Sequence, residues 1–105
     1  MEEMTGMPKQ YLKSRPTCKV TFRLPSDGAL TAKTVTVAGE FNNWDILATP
    51  MKRLKNGDFV VVLELERGRE YCFRYCIDGE KWENDWHADR YKPNPYGGHD
   101  SVVVL

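Results

Sequence analysis

Trp44, Trp82 and Trp86 are three tryptophans in a chain of 105 residues, more than a core of that size requires. Two of them lie in stretches of turn and loop residues. A sugar ring presents a C–H face that packs on an indole, and rim hydroxyls that need donors and acceptors. A sugar-binding surface therefore combines exposed Trp or Tyr with Arg, Lys, Asn or Asp beside it. The three tryptophans supply the first kind of group. Arg74, pointing to the face opposite Tyr75 in an alternating segment, supplies the second. Composition alone leaves two readings open: an exposed sugar platform, or aromatics that pack the core and its loops. Phe41 reads as core.

Catalytic chemistry finds little support. The chain has no G-x-S-x-G, no Walker loop, no H-E-x-x-H and no C-x-x-C. His87 and His99 are the only imidazoles, and neither has Cys or His neighbours at metal-ligand spacing. His87 with Asp85 and Asp89 would be the candidate metal or acid–base cluster, and is read as solvated loop polars. No metal or cofactor is expected. A two-carboxylate glycosidase pair would need a cleft that desolvates an acid, and a small sandwich offers little depth for one. Gly97-Gly98 is followed by no helical pattern, so it reads as a turn and not as a phosphate loop.

The elements that must position these residues are strands. Val20, Phe22 and Leu24 alternate with Lys19, Thr21 and Arg23 over Cys18–Leu24. The same period of two runs through Thr34–Ala38, Asp58–Glu66 and Arg69–Ile77, and Ser101–Leu105 is a short Val-rich closing strand. One apolar face per segment predicts antiparallel sheet with half-buried strands. Asn56-Gly57 predicts a tight turn after a short strand near Met51–Leu54, and Asp78-Gly79 another before Lys81-Trp82. No segment carries a convincing 3.6-residue period. The sum is an all-β fold, an immunoglobulin-like antiparallel sandwich of about seven strands. Residues 1–16 are predicted to be a flexible tail and residues 17–105 the sandwich. Two segments escape the alternation: Glu40–Pro50, with Phe41 and Trp44, and Glu83–His99, with Trp86, Tyr91 and Tyr96. A loop of the second length in a compact domain is usually functional or disordered, and this one is too aromatic for disorder.

Fifteen Lys and Arg balance fifteen Asp and Glu. That argues against a general nucleic-acid binder or a polybasic membrane anchor. There is no run of apolar residues long enough to span a membrane, and the start, MEEMTGMPKQYLK, does not resemble a signal peptide. A cytoplasmic protein is expected. Cys18, Cys72 and Cys76 fit that compartment. On a strand Cys72 and Cys76 stand about 13 Å apart, beyond the roughly 7 Å that a disulfide tolerates between Cα atoms.

The segments G-E-F-N-N-W-D (Gly39–Asp45), F-R-Y-C-I-D-G (Phe73–Gly79) followed by Trp82, and P-Y-G-G-H-D-S-V-V (Pro95–Val103) occur in one order. Together they resemble carbohydrate-binding module family 48. That is the early-set domain found ahead of isoamylase and branching-enzyme catalytic domains and in the β subunit of AMP-activated protein kinase, where it binds glycogen. The resemblance spans about residues 17–105, and the short chain is most similar to stand-alone bacterial early-set proteins. It implies a non-catalytic module for α-glucans such as glycogen, starch or maltooligosaccharides. Trp44 and Trp82 would stack on glucose, and Arg74, Tyr96 and Asp100 would complete the site. Arg74 stands where the kinase module has Lys, and Asp100 where the family commonly has Asn. The first change turns a point charge into a planar fork, and the second exchanges amide donors for a negative acceptor. Trp86 matches no sugar-contacting position and reads as loop packing. The alternative function is a protein-interaction domain that docks a separately encoded amylolytic enzyme. A glycoside hydrolase label would be inherited from the enzymes that carry such a domain.

Overall fold

Alternation of apolar and polar side chains builds two antiparallel sheets that face each other across a shared core. The computed structural model describes residues 7–29 and 31–105. Its strands are β1 (Lys9–Tyr11), β2 (Thr17–Leu24), β3 (Val35–Gly39), β4 (Lys52–Arg53), β5 (Phe59–Glu66), β6 (Glu70–Ile77), β7 (Lys81–Glu83), β8 (Arg90–Pro93) and β9 (His99–Val104). One sheet runs β1-β2-β5-β4. The other runs β3-β6-β9-β8, with β7 also paired to β6. This is an immunoglobulin-like early-set sandwich, as expected, with more strands than the alternation counts. Two are new. β8 lies inside the segment read as a long loop, and its four residues are all exposed, so no alternation betrays it. β1 pairs Lys9–Tyr11 with Cys18–Val20. Of the expected N-terminal tail, residues 1–6 lie outside the described residues. No helix among the described residues is long and apolar enough to cross a membrane.

Cys18, Val20, Phe22 and Leu24 of β2 point inward and are buried, as the period of two requires. Against them β6 presents Tyr71, Phe73 and Tyr75, with Phe22 and Phe73 edge to face at 4.9 Å. Phe41 packs on this cluster, 5.4 Å from Phe22 and 6.1 Å from Tyr71 between ring centres, so it belongs to the core. In contrast to the half-buried strand expected, β6 is covered on both faces. Cys72 and Cys76, on its outward side, are buried too. All three cysteines are free.

The Asn56-Gly57 turn forms, but only Gly57 takes a positive φ (93°). Asn56 contributes through its side chain, whose Oδ1 accepts the Asp58 N–H at 3.0 Å.

One end of the sandwich holds a buried polar knot that corrects the reading of Asp85 as a solvated loop residue. Asp85 is 5% exposed. Its carboxylate accepts the Tyr75 hydroxyl and the His87 N–H, and its own N–H donates to Ser101 Oγ at 2.9 Å. Ser101 in turn donates to Asn84 Oδ1 at 2.8 Å. Asp89 is a staple as well, taking the Met7 N–H, the Lys9 ammonium and the Val104 N–H. Among the described residues no group of His, Cys, Asp or Glu is placed to hold a metal ion.

Burial holds the Asp85 carboxyl above the ordinary value of 3.8, against the opposing pull of the Tyr75 hydroxyl and the His87 N–H. The folded protein therefore keeps this proton to a higher pH than the unfolded chain does. As pH rises from 3.8 through that raised value, the unfolded state sheds its proton first and the Asp85 contribution to stability falls. Asp85→Asn removes this dependence. Thermal melts of both proteins should show the variant gaining on the wild type as pH goes from about 4 to 7. A difference in Tm that does not change with pH would contradict the assignment.

Candidate functional site

The segment after β3 has a task for each side chain. Gly39 runs extended (φ −170°) against β6, where a Cβ would sit 2.5 Å from the Cys72 carbonyl oxygen and 2.7 Å from Phe73 Cβ. Glu40 turns back to accept the Cys72 N–H at 2.7 Å. Asn42 accepts the Gly39 N–H at 3.0 Å, and donates to the Val37 carbonyl at 2.9 Å and to Thr49 Oγ1 at 3.0 Å. Asn43 and Trp44 then both take left-handed φ of 58°. Asn tolerates that region; for Trp it is strained, by roughly 1–2 kcal/mol. The Trp44 N–H closes the turn on the Gly39 carbonyl at 2.9 Å. The hydrogen bonds of Asn42 hold the backbone where this indole leaves the core and meets the groove.

Trp82 comes from the next hairpin. Asp78 and Gly79 have positive φ (54° and 71°), and the turn returns the chain so that Trp82 pairs with Cys76. The Asp78 carboxylate accepts the Thr34 and Lys33 N–H groups, which hold its pKa below the ordinary 3.8. β7 occupies the upper part of one edge of β6, and β9 the lower part of the same edge. Arg74 sits at the junction, so its side chain has Trp82 on one flank and Asp100 of β9 on the other.

The guanidinium carbon of Arg74 lies 5.0 Å from the Trp82 ring centre and 5.9 Å from that of Trp44, within cation–π range of both. Its Nε is 3.1 Å from Asp100 Oδ1. That is an ion pair, but the N–H is too far out of line for a hydrogen bond. The negative charge at Asp100 is thus taken up by the arginine at position 74.

One concave groove of about 420 Å³ is lined by Trp44, Arg74, Trp82, Asn94, Pro95, Tyr96 and Asp100. It brings together all five residues singled out from the sequence. Trp82 is 44% exposed, Tyr96 89% exposed, and Trp44 half-buried. Asn94 and Pro95 were not singled out. The signal for Asn94 is its place in an Asn-Pro turn just before Tyr96-Gly97-Gly98. Trp86 does not line the groove. It packs against Gly28, where an added Cβ would come within 3.1 Å of its ring.

The groove can stack and hydrogen-bond, and it holds no activated nucleophile. Cys72 and Cys76 flank Arg74 on the same face of β6, and burial pushes both thiols up, away from the reactive thiolate form. A smaller hollow of about 240 Å³, lined by Met7, Pro8, Thr21, Arg23, Pro25, Asp85 and His87, shares no residue with the groove.

Residues 15–97 match the family described as Carbohydrate-binding module 48 (Isoamylase N-terminal domain). No curated protein matches the chain.

Proposed function

The chain belongs to the carbohydrate-binding module 48 family, and on that premise we propose that it is a non-catalytic module for α-1,4-linked glucans. Glycogen, starch or maltooligosaccharides would be its ligands. The observation that carries this reading is the convergence of two indoles from separate turns on one groove, with a guanidinium between them. Trp44 and Trp82 offer apolar ring faces to the C–H faces of glucose. Arg74, ion-paired with Asp100, offers guanidinium N–H donors, and Asp100 and the Tyr96 hydroxyl offer acceptors for sugar hydroxyls. Burial of a catalytic acid beside the groove is not needed for this role.

The protein-interaction alternative is favoured where both indoles are covered. Here Trp82 is 44% exposed and shares the groove with Trp44, which supports the sugar reading. A partner such as a separate amylolytic enzyme would then bind elsewhere on the sandwich, and a cytoplasmic setting suits free thiols.

A shallow open platform binds weakly. Dissociation constants between micromolar and millimolar, about −8 to −4 kcal/mol, are expected for maltoheptaose or β-cyclodextrin in isothermal titration. No heat at millimolar ligand would overturn the proposal.

A further inference from the structure

We propose that Asn94 is the positioning residue of the groove, one carboxamide that shapes the loop carrying Tyr96 and, through Asp100, holds Arg74 between the two indoles. The inference rests on the glucan reading of that groove. Asn94 follows the last residue of β8, and its Oδ1 accepts the N–H groups of Tyr96 at 2.9 Å and Gly98 at 3.2 Å. Its own N–H donates to the Gly98 carbonyl at 2.9 Å, and Gly97, at φ 87°, lets the chain reverse so that these groups converge. Its Nδ2 donates to Asp100 Oδ1 at 3.1 Å.

The orientation of the amide follows from its partners. Two backbone N–H groups can face only the oxygen, which leaves the NH2 for the carboxylate. Asp100 Oδ1 is also the atom 3.1 Å from Arg74 Nε. That Nε is buried and has no aligned acceptor, so its position depends on where the carboxylate is held. A continuous set of contacts therefore runs from the Tyr96 loop through Asn94 and Asp100 to Arg74 and its two indoles. Asn94 acts on the ligand through these neighbours: it sets where Tyr96 stands relative to the indoles, and how the guanidinium is presented to sugar hydroxyls.

An added charge tests this. Asn94→Asp keeps an oxygen for the Tyr96 and Gly98 N–H groups but sets one carboxylate against another. A residue that only closed the loop would tolerate the change. We expect maltoheptaose binding to fall about fivefold or more, the worth of one lost hydrogen bond plus repulsion. Asn94→Ala, which removes the donor to Asp100 without adding charge, should weaken binding too, by about threefold or more. A second readout needs no sugar: the Arg74 Nε–H resonance of the free protein should move in both variants. Binding or an Arg74 resonance equal to wild type in a folded Asn94→Asp protein would overturn the inference. Wild-type protein that gives no heat with maltoheptaose would sink the glucan reading, while the Arg74 resonance would still decide the role of Asn94.

Discussion

Trp44→Ala is expected to weaken maltoheptaose binding by roughly ten- to thirtyfold, and Trp82→Ala by a similar factor. A fully buried aromatic hides about 150–250 Å². A sugar ring on one indole face removes about a third of that from water, and at about 25 cal/mol per Å² this is roughly 1.3–2 kcal/mol. Tenfold in affinity is about 1.4 kcal/mol. Each substitution also strips Arg74 of one ring it lies over, so the two losses share a neighbour and should not simply add. Trp86→Ala, outside the groove, should leave affinity within about twofold. Isothermal titration of the three variants, each checked by a thermal melt, reads these outcomes. A Trp44→Ala protein that is folded and binds like wild type would contradict the platform.

Gly39→Ala is expected to cause the largest loss of stability from a single added methyl group. The φ of −170° is open to any residue, so the penalty is one of space alone. The new Cβ would lie 2.5 Å from the Cys72 carbonyl oxygen, 2.7 Å from Phe73 Cβ and 3.0 Å from Phe41 Cε2. The first two belong to the middle of β6 and cannot swing aside. Overpacking of this kind costs about 1–3 kcal/mol. In a domain of this size each kcal/mol lowers Tm by about 4–8 °C. Relief by moving β3 away from β6 would also disturb the bond from the Cys72 N–H to Glu40 and the turn that presents Trp44. Affinity should therefore fall along with stability. Gly98→Ala is the control for stability, since its added methyl would meet only the Asn94 carboxamide, at an ordinary 3.6 Å from Nδ2 and 4.0 Å from Oδ1. A Gly39→Ala protein that melts with the Gly98→Ala control would show that the close approach of the strands is not needed.

The longer strands are legible because one apolar face per strand leaves its mark at every second residue, as in Cys18, Val20, Phe22 and Leu24 of β2. β8 leaves no such mark: all four of its residues face solvent along an edge, and it ends in Pro93. β6 shows the limit of the same rule. Its alternation says which way Cys72, Arg74 and Cys76 point, but the loop and hairpin that cover them come from distant parts of the chain.

In the groove, Trp44, Trp82 and Arg74 were legible because their chemistry is unusual for where they stand. Asn94 was not, because its work is done on backbone N–H groups that converge only once Gly97 has turned the chain. Asp85 misled for a related reason. It stands among polar loop residues, and nothing in that neighbourhood announces the Tyr75 hydroxyl that reaches it from the core.

The most direct test of the account is to titrate maltoheptaose into isotopically labelled protein and follow the indole Nε1–H signals of its three tryptophans. The signals of Trp44 and Trp82 should shift together and saturate with one dissociation constant, while that of Trp86 stays in place. Movement of Trp86 alone, or three unmoved signals at millimolar sugar, would contradict it.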